Sequence, residues 1–453
     1  MAIQTKPLRI LMLAALVAAV GCGDDEGSRP KPRRDAGEEE RDAAPKDASS
    51  EPSDAAVKPD TGSPEEGLSG NCAIDSNKIF SVSMRNQPFP GTPLAVDPVG
   101  SLFALPIVGT QAGCLDVVNV ATMSGSAQGG EPSMKVAVDA CALIKDAVAV
   151  ALRGQWFVAM VDSREPPFDV WLQAYDPVDG AQGSAVRVQK DAAVETALAV
   201  TSLRDGERGV VAWGAEASDG TNSLYTRVFD RSGALVGEPQ RIDQSKLYFR
   251  GLSLAPLGEA GAALAYWRYD LDFKVSEIVF RPLDADGKPT RDEWVVAAGA
   301  GPSASVDVAT DARVGGIVYS RAEGTQRQVW FQRIDATGQA AELSNSPGRS
   351  AAQRVVGVPK SGIDVSVTKL VAGYLISYRA LPTAQEPKAA IRLVFLDRSG
   401  QVIGDSDVSY TSESGGRTAV EAAYDGRVVI GWSQVNADGK SELKLVRLPC
   451  IGG

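Results

Sequence analysis

Beyond residue 70 the chain is written in short runs whose apolar and polar positions alternate with a period of two. "SLYTRVFD", "SEIVFRPLD", "QVWFQRID" and "IRLVFLD" are such runs, and this alternation predicts half-buried β-strands. Each ends at an aspartate that precedes a glycine: Asp230 and Gly233, Asp284 and Gly287, Asp335 and Gly338, Asp397 and Gly400. "YDPVDG", with Asp176 and Gly180, is an earlier copy. An aspartate at the head of a turn bonds its own downstream backbone, and the glycine accepts positive φ, so each copy predicts a hairpin. The five aspartates are 54, 54, 51 and 62 residues apart.

A second series lies upstream of these turns. Apolar strands carry Trp213, Trp267, Tyr319, Tyr378 and Trp432 at intervals of 54, 52, 59 and 54 residues. Thin strands precede them, such as "ALAVTSL", "ASVDVAT" and "AVEAAYD". Each unit of about 54 residues thus holds four antiparallel strands, the mark of a β-propeller blade. The thin strand suits a crowded central channel, and the aromatic suits the packing between blades. Extrapolation backward reaches Ala121 in "LDVVNVATMSG", and extrapolation forward reaches Pro449 in "SELKLVRLP". The expected fold is therefore all-β: a seven-bladed propeller of four-stranded blades over residues 71–453. The last blade has only three strands of its own. "NKIFSVSMRN" at Asn77–Asn86 is expected to supply the fourth, which removes both free edges.

The segment before the repeats has another character. Residues 1–21 hold Lys6, Arg9 and an apolar run of eleven residues from Ile10 to Val20. That run is too short to span a bilayer and predicts a signal peptide. It ends in Ala19-Val20-Gly21-Cys22, which resembles a bacterial lipobox, although Ala19 stands where leucine is usual. Residues 22–70 follow as an acidic, Pro/Ala-rich stretch. Positions 23–70 carry fourteen Asp or Glu, seven Lys or Arg, six Pro and no aromatic residue. Such a stretch buries too little apolar surface to offset its conformational entropy and predicts a disordered tether. Together these features resemble the exported bacterial lipoproteins that carry propeller domains on tethers. The resemblance implies acylation at Cys22, with the membrane as a partner through the lipid anchor. It also implies an address in the bacterial cell envelope, and Gly23 after the cysteine favours the outer membrane.

The cysteines bear on the ring. With Cys22 acylated, four remain, an even number in an exported chain. Cys450 ends the third strand of the last blade and Cys72 precedes the strand that would complete it, so a Cys72–Cys450 disulfide is expected. Cys114 opens the third strand of the first blade and Cys141 follows its fourth, so Cys114–Cys141 is the second expected pair.

Composition narrows the function. The net charge of the chain is −11, and the repeat region has no basic tract, which argues against nucleic acid as a partner. There is no histidine, so a Ser–His–Asp triad, a Cys–His pair and an imidazole-bound metal are excluded. No catalytic residue, metal ligand or cofactor is expected. "DADG" at Asp284–Gly287 and "DLD" at Asp270–Asp272 lack the ligand spacing of a calcium loop and read as turns. Arg268, Arg321 and Arg379 follow the second-strand aromatics in three successive blades and are the candidate ligand-binding residues, suited to an anionic group. Asp162, Asp270 and Asp272 are placed to neutralise them. The expected function is a non-enzymatic binding or scaffold protein for an envelope protein or glycan. The alternative is a carboxylate-dependent glycosidase or lyase.

Overall fold

In a computed structural model the protein is described at residues 80–84, 94–97, 102–109, 116–124, 131–165, 168–189, 194–311, 313–324, 326–341, 352–355, 362–382, 389–409, 415–422, 427–435 and 441–448. All of these lie in one compact unit, Ser63–Gly453. The signal, the tether, Cys22, Cys72, Cys114 and Cys450 lie outside the described residues. Among the described residues there is no helix.

Strand β1 (Phe80–Met84) comes first. Blade 1 holds β2 (Ala95–Val96), β3 (Leu102–Gly109), β4 (Asp116–Ser124) and β5 (Ser133–Ala142). Blade 2 holds β6 (Ile144–Leu152), β7 (Gln155–Asp162), β8 (Asp169–Asp176) and β9 (Gly180–Arg187). Blade 3 is β10 (Val194–Ser202), β11 (Arg208–Glu216), β12 (Asn222–Asp230) and β13 (Leu235–Ser245). Blade 4 is β14 (Tyr248–Leu257), β15 (Gly261–Tyr269), β16 (Ser276–Leu283) and β17 (Trp294–Ala298). Blade 5 is β18 (Val306–Thr310), β19 (Val314–Glu323), β20 (Gln326–Asp335) and β21 (Gln353–Arg354). Blade 6 is β22 (Gly362–Leu370), β23 (Gly373–Ala380), β24 (Ala390–Asp397) and β25 (Val402–Ser409). Blade 7 is β26 (Gly415–Ala422), β27 (Val428–Val435) and β28 (Ser441–Leu448), with β1 as its fourth strand.

The chain is a seven-bladed β-propeller with seven sheets of four antiparallel strands. Strand β1 pairs with β28 in the register Phe80↔Leu445 to Met84↔Ser441, so the expected closing strand is where the arithmetic put it. Blade 5 departs from the pattern, for its outer strand β21 is only two residues long. In blade 1, Asp116 pairs with Ala142, which brings the strand after Cys114 beside the one that carries Cys141. The cysteine side chains themselves lie outside the described residues.

The recurrent turn behaves as the sequence predicts. Asp230 Oδ1 accepts from the backbone N–H of Ser232 (2.8 Å) and Ala234 (3.1 Å). Asp335 does the same with Thr337 and Gln339, and Asp284 with Asp286 and Lys288. Asp284 is thus a turn cap, as is Asp270, whose Oδ1 accepts from Val275 N. Gly338 sits at φ +75°, where a Cβ would also lie 3.0 Å from the Phe280 ring of the preceding blade. The turn glycines Gly180, Gly233 and Gly287 approach the preceding blade equally closely, so in blades 2 to 5 the turn has a second duty, to seat one blade against the last.

The apolar side chains fall into seven clusters, each shared by two adjacent blades, including one between blades 7 and 1 that joins Leu105 and Phe103 to Val429 and Leu445. Trp213, Tyr319, Tyr378 and Trp432 each face the preceding blade, as the repeat spacing implies. Trp267 does not. It packs toward blade 5, and Tyr266 takes the place that faces blade 3. Neighbouring residues of a strand point to opposite sides, so this is a one-residue correction to the series.

Candidate functional site: the central channel

The seven innermost strands, β2, β6, β10, β14, β18, β22 and β26, surround a channel of about 820 Å³. Residues such as Ala149, Ala199, Ala255, Ala309 and Ala419 line it, small enough for seven strands to approach one axis. Among the described residues no ladder joins one blade to the next, so the innermost strands carry backbone N–H groups with no strand partner on their free side.

Side chains take up these donors in a relay. Ser253 Oγ accepts from Val308 N across one blade boundary (3.1 Å). Asp307 accepts from Val367 N across the next (2.8 Å). Ser366 Oγ accepts from Val420 N across the third (3.3 Å). Asp307 also accepts from the hydroxyls of Ser253 (2.5 Å) and Ser366 (2.9 Å), and from its neighbour Val308 N (3.0 Å). Both of its oxygens are thereby engaged, each by two donors. Burial pushes the Asp307 carboxyl above the usual carboxylate range, against the pull of these bonds.

One layer along, Thr368 Oγ1 accepts from Ala422 N (3.0 Å) and donates to Glu421 Oε1 (3.1 Å). Glu421 Oε1 also accepts from Ala422 N (3.2 Å). The second oxygen of Glu421 has no hydrogen-bond partner among the described residues. Burial pushes the carboxyl of Glu421 up to about 8, and the charge of Asp307 adds to the effect. At neutral pH it is therefore largely a protonated acid. Lys369, also on the channel wall, pairs with Asp311 (3.3 Å) and lies 4.9 Å from the Tyr374 ring centre. Burial lowers its pKa.

The three arginines singled out by the sequence lie at or near the ends of their second strands, each already beside a carboxylate. Arg268 meets Glu277 (2.8 Å), Glu293 (2.8 Å) and Asp243 of blade 3 (3.3 Å). Burial opposes its charge, but the bonds to Glu293 and Glu277 outweigh that and raise its pKa. Arg321 pairs with Glu323 (3.0 Å) and lies over the Trp330 ring at 4.7 Å. Arg379 pairs with Asp364 (2.9 Å). The acids expected to neutralise them are used elsewhere: Asp162 holds Arg164, and Asp272 pairs with Lys274. Among the described residues, no group of three or more His, Cys, Asp or Glu side chains is placed to hold a metal ion.

Sequence reasoning missed Asp307 and Glu421. The signal was present: "ASVDVAT" and "AVEAAYD" each place one acid inside a thin apolar strand bound for the channel.

No protein-family model matches the chain, and no curated protein matches it. Among solved structures it is similar in fold to the BP39L lectin from Burkholderia pseudomallei, at 11% identity and a TM-score of 0.49, over 81% of this chain and 98% of that one. It is also similar to the β-propeller domain of the Trilobed protease from Pyrococcus furiosus, described as having an open velcro topology, at 9% identity and a TM-score of 0.45 over 80% and 98% of the two chains. A third is the endo-arabinanase from Bacillus licheniformis, at 9% identity and a TM-score of 0.35 over 66% and 92%. At these identities the likeness concerns fold alone, and none of these proteins' activities passes to this chain.

Proposed function

We propose that the protein is a lipid-anchored binding protein of a bacterial cell envelope, which holds a protein or glycan partner on its propeller and does not transform it. Cys22 would carry the lipid and residues 22–70 would form the tether. The observation that supports binding over catalysis is the commitment of Asp307: four donors occupy its two oxygens, and they join three blades. A carboxylate used in this way is a poor base or nucleophile, because a reacting atom would have to displace a structural bond. The test is capture of a partner from intact cells with the tethered domain as bait, together with a hydrolysis screen on envelope glycans. A reproducible partner and no turnover is the expected result. Incorporation of an acyl-chain label that disappears in Cys22→Ser tests the anchor.

The second reading, a glycosidase or lyase, has one observation in its favour. Glu421 is an acid kept protonated beside a second carboxyl in a channel, the arrangement from which a proton donor is made. Glycan turnover that vanishes in Glu421→Gln would overturn the binding reading.

A further inference from the structure

Blade 4 carries aromatic rings that the repeat does not require. Tyr266 already fills the place facing blade 3, and Trp267, on the opposite side of β15, joins the core shared with blade 5 and carries further rings packed against it. Tyr269 lies two residues on, on the same side, with its ring 4.2 Å from Trp267 and inclined by 19°. Tyr248 is its direct cross-strand partner, 5.7 Å away at 28°. Phe273, from the loop between β15 and β16, lies 5.2 Å from Tyr269 at 14° and 6.1 Å from Trp267 at 7°. Four rings are thus nearly parallel. Trp267 is the buried floor, fixed by its indole N–H on Ser276 Oγ (2.9 Å), while Tyr248, Tyr269 and Phe273 remain partly open to solvent.

Two further observations set this patch apart from ordinary packing. Phe273 sits at φ +55°, a conformation that costs a bulky residue energy and that clusters at sites of function. Its turn is held by Phe273 N to Asp270 O and Asp270 N to Val275 O, both 3.0 Å. The Tyr248 and Tyr269 hydroxyls make no hydrogen bond among the described residues and are not sealed from solvent, so both are open to a ligand. Asp270, Asp272 and Lys274 add polar groups along the loop, and Leu271 projects from it, 71% exposed.

Resting on the binding reading above, we infer that this platform is a carbohydrate site for a β-linked, gluco-configured oligosaccharide. In such a sugar every ring hydroxyl is equatorial, so each ring has a flat apolar C–H face and a polar edge. The rings lie partly over one another, so the sugar face would rest on the solvent side of the stack formed by the partly open Tyr248, Tyr269 and Phe273, and its edge would meet the two phenols and the loop carboxylates. A methylated ammonium group needs aromatic walls that surround it, and rings within 28° of parallel do not form a cage. A nucleobase would stack, but its phosphates would meet Asp270 and Asp272.

The experiment is titration of the intact protein with a β-1,4-linked glucose tetrasaccharide and with its galacto-configured counterpart, whose axial hydroxyl leaves each ring one apolar face instead of two and bends the chain, followed by calorimetry and tryptophan fluorescence. The glucose tetrasaccharide should bind saturably and at least about tenfold more tightly than the galacto form. Phe273→Gly should weaken it about tenfold, the scale of one lost aromatic stack. Glycine accepts the +55° φ, which offsets part of the packing lost with the Phe273 ring, so its thermal midpoint should fall by only a few degrees and the fold should persist at the titration temperature. Tyr248→Phe with Tyr269→Phe keeps the stack and should weaken binding severalfold, which covers the case of an unfolded glycine variant. Equal binding by these variants, or no preference for the gluco form, overturns the platform. A wild type that takes up no sugar yet captures an envelope partner also overturns it and leaves the binding reading standing; failure of both removes both.

Discussion

Glu421→Gln should make the protein more stable at pH 8 and above, and leave it nearly unchanged at pH 5. In the folded channel the carboxyl is raised from an ordinary 4.5 to about 8. Folding therefore favours its protonated form. Below about 4.5 both folded and unfolded chains carry the proton, and the group's contribution is fully present. As the pH rises from there to about 8, the unfolded chain loses its proton while the folded one keeps it, so stability falls. At about 1.4 kcal/mol per pH unit the ceiling over this interval is roughly 5 kcal/mol. Solvent in the channel reduces the effective field, and roughly 2–3 kcal/mol is the expected loss. Asp307, raised in the same direction, adds to it with the same sign. The carboxylates held low by their turns, such as Asp230 and Asp335, act with the opposite sign, but below the interval in question. Glutamine copies the shape of the protonated acid and keeps an acceptor for Thr368 Oγ1 and Ala422 N. Urea denaturation of both proteins at half-unit steps from pH 5 to 9 is the assay. The wild-type midpoint should fall across this range and that of the variant should fall much less. Parallel curves would refute the reasoning, because they would mean that Glu421 titrates in the folded channel as it does in water.

Three other outcomes follow from the same geometry. Asp307→Asn turns one carboxylate oxygen into an amide N–H₂; the serine beside it can turn to accept, but the backbone N–H that faced it, of Val308 or Val367, cannot, so a loss of about 1–3 kcal/mol is expected by urea denaturation at pH 7. Gly338→Ala should cost more than Gly183→Ala: both glycines are left-handed, yet a Cβ at 338 meets Phe280, Pro282 and Leu257 within 3.2 Å, whereas at 183 it meets nothing within 4 Å. The difference between the two thermal shifts measures the seat between blades, and equal shifts would show that only φ matters. Mass mapping of the non-reduced protein should find Cys72 joined to Cys450 and Cys114 to Cys141; any other pairing, or free thiols, contradicts the closure chemistry expected from the blade order.

The blade count was legible because a propeller repeats its physics. The Asp-to-Gly turn recurs after the third strand of blades 2 to 6, so its spacing measured the repeat directly and extrapolation in both directions supplied the first and last blades. The closing role of β1 was legible for a related reason: a blade with three strands leaves an edge that something must cover, and Phe80–Met84 was a strand without another use. The channel acids were harder to read. A lone Asp in "ASVDVAT" looks like noise in a strand, and its purpose appears only once a neighbouring innermost strand brings Val367 N beside it without a ladder partner. That juxtaposition depends on blade 6, which lies some sixty residues away. The arginines failed to reveal their surroundings in the same way. Arg268, Arg321 and Arg379 share a place in the repeat, but the acids that meet them come from different elements: Asp243 and Glu293 from outside its strand pair for Arg268, Glu323 from the same strand for Arg321, and Asp364 from the innermost strand for Arg379. A repeat specifies what every blade must do, and it is silent on what one blade does alone. Blade 4 shows this best. Spacing put Trp267 in the aromatic series, whereas the fold gives that place to Tyr266 and turns Trp267 toward Tyr269 and Phe273. A single blade that breaks the rule its siblings follow, with Phe273 at positive φ in the loop beside the displaced ring, is the ground on which the carbohydrate proposal stands.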